Sequence, residues 1–225
     1  MKINVVIPAS GAGVRLGGDI PKQFLLLGGE PILKHTLSIF NALEIVEEIA
    51  VAIPKKYLKE VQDYKISKLR HVIIGKETRA ESVYAALKAL PADTEIVLIH
   101  DGIRPFVTQE IIENVATATK EHGAAIACSP VTDTIKQVDA SGNIINTPDR
   151  NSLYQAQTPQ GFTYNLIMNA YNEAERAGIL KTVTDDSALA ERIGILVKTV
   201  PSPQVNIKIT TESDLKIANY LLKRS

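Results

Sequence analysis

A chain whose sole cysteine is Cys128 can form no internal disulfide. Cys128 sits in the apolar run Gly123-Ala-Ala-Ile-Ala-Cys-Ser, where it reads as a small core residue. Charge of one sign is also missing: Lys plus Arg and Asp plus Glu are 25 each, so the net charge is zero. A polyanionic partner such as nucleic acid, which needs a broad basic field, is therefore not expected. No apolar stretch approaches the ~18 residues of a membrane span. The N-terminus shows no charged, apolar and cleavage regions in succession, so a soluble cytoplasmic protein is expected. The four histidines (His35, His71, His100, His122) lack the paired spacing and cysteine company of a zinc site, and metal ligation by protein side chains alone is not expected.

Neither familiar phosphate loop is complete. The dinucleotide fingerprint asks for a third glycine where Gly11-x-Gly13 is followed by Leu16, and Walker A asks for Gly-Lys-Ser/Thr where Gly18 is followed by Asp19. What is present is an apolar strand from Ile3 running into a glycine-rich loop with Arg15 inside it and Pro21-Lys22-Gln23 just beyond. Gly11 and Gly13 let the backbone approach a ligand closely, and consecutive amide N–H groups in such a turn form an anion-binding concavity. Arg15 offers a planar fork and Lys22 a compact charge. The loop alone is either a tight turn or a phosphate site, and the basic pair favours a triphosphate.

Strand-length apolar runs alternate with helical patterns throughout, which predicts an α/β fold around a mostly parallel sheet. Strands are expected at the start, at Glu48–Pro54, Val72–Ile74, Glu95–His100, Ala124–Ser129, Ile195–Val200 and Val205–Ile209. Helices are expected behind Pro31, from Lys55 to Tyr64, after the capping box Thr78-Arg-Ala-Glu81, after Thr108, near Leu166–Ala177, at Asp185–Ile193, and after Thr211 and Asp214. The segment Thr134–Pro148 breaks the rhythm as two short strands around an Asp/Ser/Gly turn, a projecting arm at about 134–156. Gln157 and Thr158 at its base read equally as turn residues. No repeat or linker divides the chain, so residues 1–225 form one domain.

Ligands of open α/β sheets sit beyond the carboxyl ends of the strands. Arg15 and Lys22, then Lys76, Glu77 and Arg79, then Asp101 and Arg104, then Thr132-Asp-Thr134 all fall at that rim. Several have ordinary explanations. Asp101 and Arg104 suit a local ion pair as well as a substrate grip, Thr184 suits a helix cap as well as a ligand contact, and Lys208 suits solvent as well as a site.

Together, PASGAGVRLGGDIPKQF, GKETRAESV, HDGIRP, TDTIK, DRNSLYQAQTPQGF, TDDSAL and NIKITT resemble the 2-C-methyl-D-erythritol 4-phosphate cytidylyltransferase family over nearly the whole chain. The resemblance implies a three-layer Rossmann-like nucleotidyltransferase fold with a β-hairpin arm. It implies an enzyme that transfers CMP from CTP to the methylerythritol phosphate of the non-mevalonate isoprenoid pathway, with Mg²⁺ held mainly by the CTP phosphates and a homodimer formed through the arm. By position, Pro8, Ala9, Gly11, Gly13, Gly75, Arg79 and Ser82 would hold the nucleotide, while Arg15 and Lys22 would act on the reacting phosphate. Asp101, Arg104, Thr184 and Lys208, with Thr134 and Arg150 from the partner's arm, would bind the phosphopolyol. Three departures stand out: Lys76 where a second glycine is common, Gly102-Ile103 where two alanines are common, and Ser10 where alanine is usual. A ribitol 5-phosphate cytidylyltransferase and a non-catalytic nucleotide-binding module are the competing readings.

Overall fold

The computed structural model describes residues 1–11 and 20–224. Seven strands form the central sheet: β1 (Ile3–Pro8), β2 (Val46–Ile53), β3 (Leu69–Ile74), β4 (Ile96–Ile99), β5 (Ala124–Pro130), β6 (Tyr154–Thr163) and β7 (Lys198–Pro201). Their order is β7-β5-β6-β4-β1-β2-β3. Every pairing is parallel except those of β6, which runs antiparallel between β4 and β5.

Among the described residues there are seven α-helices: α1 (Ile32–Ala42), α2 (Leu58–Gln62), α3 (Arg79–Leu87), α4 (Gln109–His122), α5 (Tyr164–Arg176), α6 (Ser187–Arg192) and α7 (Glu212–Leu222). Successive strand residues point to opposite faces, so Val5, Ile7, Ile49 and Val51 meet Leu33, Leu37 and Phe40 of α1 and Ile111 and Val115 of α4. Val6, Ala50, Val97 and Ile99 meet Val83 and Leu87 of α3, Ile167 and Tyr171 of α5, and Leu189 of α6. Burial on both faces explains why Val5–Ile7 of β1 and Ile96–Ile99 of β4 read as unbroken apolar runs. The expected Thr caps hold: Thr78 and Thr211 each close a complete capping box, and Thr108 accepts from Ile111 N.

Three expectations change. First, β6 is a ten-residue strand inside the sheet, although its Gln157 and Thr158 read equally as turn residues. Its ladder to β5 pairs Tyr154–Ala156 and Gln160–Phe162 but is irregular between Ala156 and Gln160. There the polar side chains of Gln157 and Thr158 are buried and bonded to other side chains. Gly161 admits α4 closely, since a Cβ there would lie 2.1 Å from Thr119 Oγ1. Second, the strand expected at Ile195–Val200 starts at Lys198, because Ile195 N bonds back to Ala190 O and finishes α6. Third, Val205–Ile209 is not a strand despite its alternation: Asn206 N closes a turn onto Pro203 O, and Ile209 N bonds to Ile103 O.

The arm projects as expected. Gln137–Val138 pairs with Ile144–Asn146, and Asp139 Oδ1 accepts from Ser141 N and Asn143 N across the turn. Tyr154–Ala156, placed in the arm by the sequence, pair with Pro130–Cys128, so the central sheet extends into the arm's base.

Candidate active site

Where β1 ends, Ala9 N still bonds to Ala52 O at 2.8 Å, and the chain then leaves the sheet through Ser10 and Gly11. Gln23 holds that exit. Its buried amide Nε2 donates to Ala9 O (2.6 Å) and Gly11 O (3.2 Å). It belongs to the short 3-10 turn Lys22–Phe24, which Phe24 anchors by stacking on Tyr57 with centroids 3.7 Å apart. One side chain thus ties the mouth of the glycine-rich loop to the turn that carries Lys22. Gln23→Leu, similar in volume but without donors, strands those carbonyls. It is expected to lower kcat/KM for the triphosphate expected at this loop by ~10-fold, from the ~1–3 kcal/mol of an unsatisfied buried group. Steady-state kinetics equal to wild type in the folded variant would show that the loop holds its place without Gln23.

The loop after β3 closes on the same spot. A Cβ on Gly75 would stand 2.0 Å from Ser10 Cβ, so the close approach of the two loops requires glycine there. Ser82, wholly buried at the start of α3, donates to Thr78 O (2.8 Å) and accepts from Lys76 N (2.9 Å). With its proton so used, it accepts from Ser10 Oγ at 2.7 Å.

Asp101, just beyond β4, gathers three cations around one carboxylate: Lys208 Nζ at 2.9 Å, Arg79 Nε at 3.1 Å and Arg104 Nε at 3.4 Å. Burial pushes the Asp101 carboxyl upward, but Arg79, Lys208 and Arg104 together hold it far below the usual carboxylate range. Arg79 also reaches the buried Asp186 at 2.8 Å, which takes a further bond from the Tyr171 hydroxyl. Burial opposes the Arg79 charge, and the two carboxylates more than restore it. Cations outnumber carboxylates in this cluster three to two, which suits a visiting anion.

A neutral network braces the cluster from behind. His100 is wholly buried, and burial pushes its pKa down to about 4. Thr158 Oγ1 accepts from Asp101 N (3.1 Å) and lies 3.0 Å from His100 Nδ1. That arrangement makes Nδ1 the acceptor and leaves the proton on Nε2, which donates to Arg104 O at 3.1 Å. Such a histidine orients its neighbours and is not placed to take a proton from a ligand.

Two adjoining cavities result. Pro8, Ala9, Gly11 and Lys22 line the first, and Arg104 and Thr184 line the second; Arg79, Asp101 and Lys208 line both. The model of the 2-C-methyl-D-erythritol 4-phosphate cytidylyltransferase family matches residues 3–224. The chain belongs to that family. The cytidylyltransferase of this name from Syntrophus aciditrophicus is 40% identical over 228 residues, covering 99% of this chain and 97% of the relative. The one from Geotalea uraniireducens is 42% identical over 231 residues, covering 99% and 97%. Among solved structures, the 4-diphosphocytidyl-2C-methyl-D-erythritol synthase of Anaerococcus prevotii superposes with a TM-score of 0.88 at 33% identity, covering 99% of this chain and 96% of that one. The Francisella tularensis cytidylyltransferase gives 0.85 at 33%, covering 98% and 99%. The chain is thus a nucleotidyltransferase, which sets aside the reading as a non-catalytic module.

Within this cytidylyltransferase frame, the residues assigned from sequence divide by position. Pro8, Ala9, Gly11, Lys22, Arg79, Asp101, Arg104, Thr184 and Lys208 face the paired cavities. Gly75 and Ser82 stand behind the wall and shape it. Thr184 does not cap α6: the N-cap is Asp186, and Asp185 Oδ1 accepts from Ala188 N. Thr134 and Arg150 belong to the exposed arm, where Arg150 Nη1 donates to Thr132 O. Gly13 and Arg15 lie outside the described residues. Of the departures, Ile103 joins an apolar cluster with Leu27, Ile32 and Ile209, and Gly102 leaves room for Ala9, whose Cβ would be 3.0 Å from a Cβ added there. Gln23, His100 and Asp186 carry no local sequence signal, because each acts through a partner remote in the chain or through a backbone carbonyl.

Proposed function

We infer that the paired cavities carry out the reaction of the family, transfer of CMP from CTP to 2-C-methyl-D-erythritol 4-phosphate with release of pyrophosphate. The observation that carries this reading is the shared wall: Arg79, Asp101 and Lys208 border both cavities, so two anionic reactants can be held side by side. The first cavity, bordered by Pro8, Ala9, Gly11 and Lys22, takes the CTP phosphates. The second takes the phosphopolyol, with Arg104 and Thr184 on its wall. A phosphate oxygen of the polyol attacks the α-phosphorus in line, and the bond to pyrophosphate breaks. The attacking oxygen is already anionic, so no general base is needed, in keeping with the buried, neutral His100. Lys22, with Arg15 from the loop, stabilises the charge that builds on the α-phosphoryl oxygens.

Asp101 has its oxygens taken by three cations, which fits a metal held through the nucleotide rather than by this carboxylate. Among the described residues no three His, Cys, Asp or Glu stand together as a metal site. Mg²⁺ bound to the CTP phosphates would neutralise charge on the triphosphate and the leaving group. The arm exposes Ile135, Val138, Ile144, Ile145 and Tyr154, apolar surface that a second copy would cover, bringing Thr134 and Arg150 to the neighbouring site. Among the described residues no helix is long and apolar enough to cross a membrane; a cytoplasmic place of action is part of this proposal.

The test is pyrophosphate release from CTP and Mg²⁺ with each polyol phosphate in turn. Release is expected with 2-C-methyl-D-erythritol 4-phosphate. None with that substrate, or release confined to ribitol 5-phosphate, would overturn the reading.

A further inference from the structure

Lys208 and its neighbours lie on a segment without a β-ladder, and yet Lys208 Nζ sits 2.9 Å from Asp101 at the shared wall. Something other than sheet pairing must place it. Two anchors bracket the residue. On one side Ile209 N bonds to Ile103 O at 3.0 Å. On the other stands Asn206, wholly buried, whose amide Nδ2 lies 2.9 Å from both Gln157 Oε1 and Thr158 O, on the irregular part of β6. The backbone carbonyl of the same residue accepts from Arg104 Nη1 at 2.8 Å.

The donor face of the amide is the one the fold uses. Thr158 O can only accept, so the Nδ2 group must face it. Asn206 Oδ1 is buried without a partner, an unfavourable arrangement for a side chain kept only to fill space. Gln157, in turn, is fixed by Ser202 Oγ (2.8 Å) and Ser129 Oγ (3.2 Å), so the acceptor that Asn206 meets is itself held in place.

We propose that Asn206 is a positioning residue for the phosphopolyol half of the reaction. Through its side chain it fixes the Lys208 segment to β6, and through its carbonyl it fixes Arg104. It acts through these two cations. The inference rests on the functional reading above, in which Arg104 and Lys208 hold the phosphopolyol. All its bonds named here run to Gln157, Thr158 and Arg104, which line the second cavity and not the first.

Asn206→Ala removes the donors, and Asn206→Ser keeps one shorter donor. Each is assayed for thermal stability and for the KM of both substrates. The expected result is a KM for 2-C-methyl-D-erythritol 4-phosphate raised by ~10-fold or more in the alanine variant and by less in the serine variant, with a distinctly smaller rise in the KM for CTP, because Lys208 borders both cavities but Arg104 only the second. A merely structural residue would move both constants equally or neither, and either outcome overturns the proposal. If neither variant folds, hydrogen exchange on the unliganded wild-type enzyme decides. Amides of Ile207 to Ile209 are expected to be protected before any substrate is added; free exchange until the phosphopolyol binds would mean that Asn206 does not preorganise the segment. A wild-type enzyme that releases no pyrophosphate would sink the functional reading, whereas the exchange result tests the anchoring by itself.

Discussion

Lys22→Ala is expected to lower kcat by about a hundredfold or more, the loss seen when one preorganised donor to a developing anion is removed. Lys22 opens a short helical turn whose next two residues are pinned, Gln23 to Ala9 O and Gly11 O and Phe24 against Tyr57. A lysine on so braced a turn faces the cavity without further ordering of its backbone. An interaction made only as charge accumulates on the α-phosphoryl oxygens affects kcat and kcat/KM alike. Single-turnover measurements at saturating CTP separate this from slow product release. A folded Lys22→Ala enzyme that turns over at the wild-type rate would remove Lys22 from the chemistry.

Asp101→Asn is expected to damage both the fold and the site. The amide cannot balance Arg79, Arg104 and Lys208, of which Arg79 keeps an ion pair with Asp186. Breaking a buried ion pair costs roughly 3–5 kcal/mol; because the Lys208 side chain is 39% exposed, solvent screening moves the expectation to roughly 2–3 kcal/mol. The sign with pH follows from the held-down carboxyl. On acidification the unfolded chain takes up the proton near pH ~4, while the folded chain does not. The stabilisation from Asp101 is therefore complete above that range and is lost as pH falls below it. Urea unfolding of wild type and Asp101→Asn from pH 7 to pH 3 should show a gap that holds steady down to about pH 5 and narrows below about pH 4. A constant gap would mean that the carboxylate charge contributes little, and that the variant suffers from lost packing or hydrogen bonds instead.

Much of this arrangement is legible in the sequence because local rules govern it. Val5 to Ile7 and Val97 to Ile99 are buried on both faces and so read as apolar runs, and Thr78, Thr108 and Thr211 announce helix starts through contacts three residues away. The rim rule for α/β sheets brings Lys22, Arg79 and Asp101 to one edge without any long-range information. What is hidden depends on partners far apart in the chain. β6 carries Gln157, Thr158, Pro159 and Gln160 where a central strand ordinarily carries apolar residues, and proline argues against such a strand. Those polar side chains tolerate burial because Ser129, His100, Asn206 and Asp185 satisfy them, which no window of sequence displays. Val205–Ile209 misleads in the opposite direction. Its alternation is that of a strand, but Asn206 and Ile207 face a side-chain network and a small apolar cluster rather than a ladder. The Asp101–Lys208 and Arg79–Asp186 pairs each join residues 107 positions apart, with no local signature at either end.

The central physical claim is that Lys22 and Lys208, from opposite ends of the chain, act on one continuous bound molecule. The cytidine diphosphate product tests it directly, because it carries both reactant halves at once. Calorimetric titration of that product into wild type, Lys22→Ala and Lys208→Ala should show affinity falling ~10-fold or more in each variant, as for loss of one charge-assisted hydrogen bond. Wild-type affinity in either folded variant would mean that the two lysines serve separate sites, and the account would fail.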